Sequence, residues 1–179
     1  MDNVILGLLL LSNRTIYQLR ERIGKGLNLM FSSSMGSIQA AIRKLLKNDL
    51  IDFEETVENG KYKKIYHITD SGRKAFFQWV NSPIEAQYAK SPEMAKVYFM
   101  GFAEKESRVA AVQEHLDFLK QQFAILNEVC ASANAAEVPD AYRDVYNYQY
   151  ISAVYGRDMI QFNIAWFENL LEKMEANEI

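Results

Sequence analysis

The side chains able to do chemistry sort into a sparse catalytic set and a richer binding set. Histidine occurs at His67 and His115 only, and cysteine at Cys130 only. A metal site needs several such ligands at close spacing, and these three are scattered, so no metal is expected. His115 and Cys130 share one helical pattern, where a separation of 15 residues keeps them roughly 22 Å apart. A nucleophile and its base must lie within hydrogen-bond reach, so no such pair arises. Gly24-Lys25-Gly26 follows no strand and lacks the spacing of a phosphate loop, which leaves it as a helix end. There is no glycine-rich dinucleotide fingerprint. Neither an enzyme nor a cofactor is expected.

The binding set centres on Ser32 to Ile51, reading SSSMGSIQAAIRKLLKNDLI. Ile38, Ile42, Leu45 and Leu46 recur with helical period and make one apolar face. The opposite arc holds Gly36, Ser37, Ala40, Arg43, Lys44 and Lys47, with Gln39 on its flank and no carboxylate of its own. Small residues permit close approach, glutamine and arginine can bond base edges, and cations meet phosphate. Such a helix suits the DNA major groove. Ser37, Gln39 and Arg43 are the expected contacts to base edges or adjacent phosphates, with Ser33, Ser34 and Lys44 in support. A second basic group, Lys61, Tyr62, Lys63 and Lys64, suits a wing that follows the phosphate backbone. The competing readings are an ordinary solvated helix face and a hairpin whose lysines protect an edge strand.

The elements that must position these residues are legible on either side. Val4 to Leu11 is apolar all round and reads as a buried helix. Thr15 stands three residues before Gln18, a capping box opening a second helix with Ile16, Leu19 and Ile23 on one side. After the central helix come two β-prone runs, Ile51 to Val57 and Tyr62 to Ile68, around Asn59-Gly60, a strong hairpin signal. Thr69 to Gly72 caps a further helix with Ala75, Phe76 and Trp79 as expected core, and Asn81-Ser82-Pro83 serves as a linker. Helix, helix, helix, hairpin, helix is the order of a winged helix-turn-helix.

At this point a family resemblance is plain. ILGLLLLSNRTIYQLRERI, GSIQAAIRKLLKNDLI and KKIYHITDSGRKAFFQW resemble, in order, three signature blocks of PadR-type transcriptional regulators. The length and helical tail resemble the branch of that family with a long C-terminal domain. The resemblance implies a homodimer built by the C-terminal helices, and phenolic or drug-like effectors for some relatives. Arg43 and Lys63-Lys64 match the family pattern. Gln39-Ala40 stands where Tyr-Pro is common, Asp49 where glycine is common, and Ile16 likewise. Gln39 can pair bidentately with adenine, so a different base preference is expected.

Charge supports a division into two modules, 1–82 for DNA and 83–179 for dimerisation. Residues 1–82 carry 12 Lys or Arg against 8 Asp or Glu, a net of +4, whereas 83–179 carry 8 against 15, a net of −7. In the second module Ser91-Pro92-Glu93 reads as a helix start. Val109, Val112, Leu116, Leu119, Phe123, Leu126 and Cys130 then make a heptad seam, which suits either a coiled coil between subunits or a hairpin within one. Ala131 to Val138 reads as a turn, and a final helix runs from Pro139 to about Met174. It bears two apolar stripes, Tyr155-Met159-Phe162-Trp166 and Ile160-Ile164-Phe167-Leu171-Met174. One partner helix cannot cover both, so a second subunit is expected, with the seam residues to Leu126 and Phe162, Trp166 and Phe167 at the interface. Tyr146, Tyr150, Tyr155 and Trp166 are candidates for binding a small aromatic effector, although an aromatic stripe also serves as core or interface.

The expectation is therefore a mainly α protein that regulates transcription. It would be a repressor, bind double-stranded DNA at a pseudo-palindromic operator as a homodimer, and be relieved by an aromatic effector. No run is long enough to span a membrane, and Val4 to Leu11 lacks the flanks of a signal peptide. With a lone cysteine this points to the cytoplasm. The alternative is a winged-helix dimer with a structural or protein-binding role and no DNA.

Overall fold

Helix α1 (Asp2–Leu11) is apolar on every side because it lies at the centre of its unit, burying Ile5, Leu6, Leu8 and Leu9. The computed structural model to which it belongs describes residues 1–26, 34–58, 61–84, 92–134 and 137–179. It divides into two compact units, Met1–Gln87 and Tyr88–Ile179.

In the first unit, α2 (Ile16–Gly26) opens on the expected capping box. Thr15 N–H donates to Gln18 Oε1 at 2.8 Å, and Gln18 N–H donates back to Thr15 Oγ1 at 3.3 Å. Leu19 and Ile23 are fully buried, and Gly24 and Gly26 fall in the last turn of α2. Helix α3 (Met35–Lys47) buries Ile38, Ala41, Ile42 and Leu45 against the same core. It ends at Asp49, whose φ of 53° is left-handed. Leu50 N–H returns to Leu45 O at 3.0 Å and Asp49 N–H to Leu46 O at 3.1 Å. This is the Schellman closure, in which glycine is the usual left-handed residue. Asp49 therefore occupies a left-handed backbone position of the kind glycine takes most readily, which accounts for the expected glycine there.

Strands β1 (Ile51–Glu58) and β2 (Lys61–Ile68) pair antiparallel, with Ile51 opposite Ile68 and Glu58 opposite Lys61. The predicted Asn59-Gly60 turn lies outside the described residues, as do Ser32, Ser33 and Ser91. One feature was not predicted. Arg14, between α1 and α2, forms a backbone bridge to Tyr66, with N–H to O distances of 3.1 and 2.9 Å. It anchors the root of the hairpin to the helical core. Helix α4 (Asp70–Val80) is capped by Thr69, whose Oγ1 accepts from Gly72 N–H at 3.1 Å and donates to Asp49 O at 2.7 Å. Ala75 and Phe76 pack on the core as expected, but Trp79 is 49% exposed and is not part of it. It shares the face of α4 that carries Gly72 and Phe76, its ring centroid 5.8 Å from that of Phe76, but it stands in the last turn of the helix, beyond the reach of the core.

The second unit contains only helices and short connections among its described residues. Helix α5 (Pro92–Phe99) leads through a 3-10 turn into α6 (Lys105–Asn134), and a second 3-10 turn leads into α7 (Arg143–Glu175). The predicted turn from Ala131 is corrected, because α6 continues through Asn134. Alanine and serine are tolerated in a helix, and buried Cys130 with half-buried Ala133 keeps this last turn packed. Val112, Leu116 and Leu119 on α6 meet Ile160, Phe167 and Met174 on α7, with Val109, Phe123, Leu126, Ile164 and Leu171 around them. The heptad seam thus closes a hairpin within one chain. Lys105 at the start of α6 donates to Asn177 Oδ1 beyond the end of α7, which fixes the two long helices at that end.

Candidate nucleic-acid interface

The recognition surface is built on α3, and its first turn is set by two serines. Ser34 is the N-cap, its Oγ accepting from Ser37 N–H at 3.3 Å and donating to Ser37 Oγ at 2.9 Å. Ser37 Oγ donates in turn to Ser34 O at 3.0 Å. These hydroxyls hold the helix start in addition to any contact they make outward. Ser33 lies outside the described residues.

Burial of Ile38, Ala41, Ile42 and Leu45 sets the direction of everything else on α3. Gly36, Gln39, Ala40, Arg43, Lys44 and Lys47 are all exposed. Arg43 and Lys47 stand one turn apart near the centre of that arc, and among the described residues neither has an ion-pair partner. Lys47 had not been singled out as a contact, although its spacing of four from Arg43 places both on one face. Lys44 differs. Its Nζ lies 2.7 Å from Asp2 Oδ2, so α1 supplies a carboxylate to the edge of an arc that has none in its own sequence.

The wing is less uniformly basic than its second strand. Cross-strand register sets Glu55 against Lys64, Thr56 against Lys63, Val57 against Tyr62 and Glu58 against Lys61. Lys64 Nζ lies 3.3 Å from Glu55 Oε1 and 3.9 Å from the centroid of the Phe53 ring. Phe53 in turn packs edge-on to Tyr66. Lys64 therefore lies on the hairpin face that continues the core. Tyr62 is 85% exposed near the tip, where its ring and hydroxyl are available to a partner. On α2, Lys25 bonds Glu21 and holds that carboxyl below its ordinary range by the hydrogen bond and the charge together.

In the second unit, seven of the nine expected interface residues are used inside the chain. Val112, Leu116, Leu119 and Phe167 are buried, while Val109, Phe123 and Leu126 pack around them. Phe162 and Trp166 remain 61% and 38% exposed, along with Tyr155 and Met159 on the same stripe. Phe118, Ile125 and Val129 make an exposed apolar line on α6. Of the effector candidates, Tyr146 and Tyr150 come together in a cleft of about 500 Å³ that also includes Arg143 and Asn147. Tyr146 Oη donates to Ala133 O at 2.7 Å across the α6–α7 turn. Tyr155 and Trp166 are not among the residues lining it. Among the described residues there is no metal-ligand cluster and no helix long and apolar enough to cross a membrane.

Comparison with known proteins gives a consistent result. Residues 5–78 match the model described as the transcriptional regulator PadR-like family, and residues 89–175 match the one described as virulence activator alpha C-term. The negative transcriptional regulator PadR of Bacillus subtilis is 26% identical over 181 residues, spanning 97% of this chain and 96% of the relative. Its crystal structure with operator DNA superposes with a TM-score of 0.76 at 20% identity, covering 97% of this chain and 98% of that one. Its complex with p-coumaric acid gives 0.71 at 20% identity, covering 97% and 94%. The Vibrio cholerae virulence activator AphA gives 0.73 at 18% identity, covering 98% of each chain.

Proposed function

Because the chain belongs to the PadR-like family of transcriptional regulators, we propose that it represses transcription by binding a pseudo-palindromic operator as a homodimer. Residues 1–82 are the DNA-binding module and residues 83–179 the dimerisation module. The observation that carries the reading is the outward arc of α3, where small Gly36 and Ala40 lead along one exposed face to Arg43 and Lys47, above the buried Ile38, Ala41, Ile42 and Leu45. Gln39 and Arg43 read base edges, Lys47 meets the flanking phosphate, and Ser34 and Ser37 present the helix start to the backbone. Lys61, Tyr62, Lys63 and Lys64 follow the phosphates from the wing.

Repression is supported by the name of the B. subtilis relative, a negative regulator. Dimerisation is supported by the apolar stripe on α7, since Phe162 and Trp166 lie on a face that α6 does not cover. The p-coumaric acid complex of that relative supports a small aromatic effector, and the Tyr146–Tyr150 cleft is where we place it. A regulator of this kind acts in the cytoplasm. Ligand binding there would shift the equilibrium between dimer geometries with different spacing of the two α3 helices.

The DNA reading is tested on duplex from the region upstream of the gene. Affinity is expected to fall steeply with salt, and Arg43→Ala to weaken binding by about 1–3 kcal/mol with reduced discrimination against a scrambled duplex. Binding that ignores both salt and Arg43→Ala would refute it.

A further inference from the structure

We propose that Asp2 is an electrostatic restraint built into the DNA-binding face, one that holds Lys44 off the phosphate backbone and so lowers sequence-independent affinity. The proposal rests on the DNA-binding reading of α3. Its observation is the ion pair between Lys44 Nζ and Asp2 Oδ2 at 2.7 Å, with side-chain exposures of 67% and 31%. Asp2 is the acidic residue in the first turn of α1, where the free amides of a helix start favour a carboxylate. It is therefore stabilised in place from two directions, by its own helix and by Lys44.

The position of Lys44 on α3 decides what this does. At about 100° per residue, Lys44 stands roughly 70° from the line through Gly36 and Lys47, on the side of Ala41. It is at the border of the exposed arc and in the last turn of α3, away from the N-terminal turns that enter the groove and carry Gln39, so a docked duplex would bring a phosphate to it rather than a base. A cation at that border adds to binding without reading sequence. Pairing it with Asp2 removes that contribution and places a negative charge beside the duplex. Among the described residues Arg43 and Lys47, near the centre of the arc, have no such carboxylate. The consequence is a better ratio of specific to non-specific binding, because base contacts are kept while one phosphate contact is withheld.

The test is a salt titration of the full chain with the upstream duplex and with a scrambled duplex of equal length. Wild type, Arg43→Ala, Asp2→Asn and Asp2→Asn/Lys44→Ala are compared, with thermal unfolding as a check on folding. Asp2→Asn is expected to tighten scrambled-duplex binding about 3- to 10-fold at low salt, and to steepen the slope of log K against log salt by about 1. The double variant is expected to lose both gains. Asp2→Asn with wild-type slope and affinity, or gains that persist in the double variant, would overturn the proposal. If wild type binds and Arg43→Ala weakens it while Asp2→Asn does nothing, only this inference fails. If no salt-dependent binding occurs and Arg43→Ala changes nothing, the DNA reading fails and takes this inference with it.

Discussion

Substituting alanine for Gly72 examines the joint that orients α3 relative to the wing and α4. A Cβ added at Gly72 would lie 2.0 Å from Leu50 O, 2.8 Å from Ile68 Cγ1 and 3.0 Å from Leu50 C. Ordinary contact begins near 3.4 Å, so the carbonyl or the helix start must shift by roughly 1.4 Å. That carbonyl accepts from Thr69 N–H at 3.2 Å, and Thr69 Oγ1 both caps α4 and bonds Asp49 O. A shift of that size removes a backbone hydrogen bond worth about 1 kcal/mol and an N-cap of similar value. Forced overpacking adds about 1–3 kcal/mol, and the better helix propensity of alanine returns about 1 kcal/mol. The net expectation is a loss of about 2–4 kcal/mol. Urea unfolding followed by tryptophan fluorescence measures it, in a Trp166→Phe background where Trp79 reports on the first unit alone. Gly36→Ala is the control, since nothing lies within 4 Å of an added Cβ there, and a gain of up to about 1 kcal/mol is expected. A Gly72→Ala variant within about 0.5 kcal/mol of its parent would refute the close approach, because a change that small is what a substitution meeting no neighbour produces.

Three further outcomes follow from particular contacts. Asp49→Gly should stabilise the first unit by about 0.5–1 kcal/mol in the same assay, since glycine relieves the left-handed φ of 53° at a small entropic cost; a loss would mean that the aspartate side chain matters more than its backbone. Phe162→Arg should convert a dimer to a monomer in sedimentation equilibrium without lowering helix content, and a wild-type monomer or an unchanged dimer would remove the stripe from the interface. In a thermal-shift titration p-coumaric acid should raise the melting temperature, and Tyr146→Ala with Tyr150→Ala should abolish the rise; equal shifts in the variant would place the ligand elsewhere.

Much of the architecture was determined locally and could be read without a fold. The Thr15–Gln18 box, the Ile38–Leu45 stripe and the Thr69 cap depend on residues three or four apart, so spacing alone reports them. The period of α7 likewise gave two apolar stripes, but it was packing that buried the one through Phe167 and left the one through Phe162 exposed. What spacing could not report is which element supplies the other side of a contact. Asp2 reaches Lys44 from 42 positions away, and Arg14 pairs with Tyr66 from 52. Both depend on how α1 and the hairpin pack, which no local period encodes. The heptad seam on α6 is the same lesson in apolar form, since its period specifies a helical partner without saying whether that partner is α7 or a second subunit. Local periodicity determined the helices, the hairpin and the face of α3 that looks outward. Only tertiary packing decided which cations on that face stand alone and which one is answered by a carboxylate, because a charge balance is set by distance in space and not by distance along the chain.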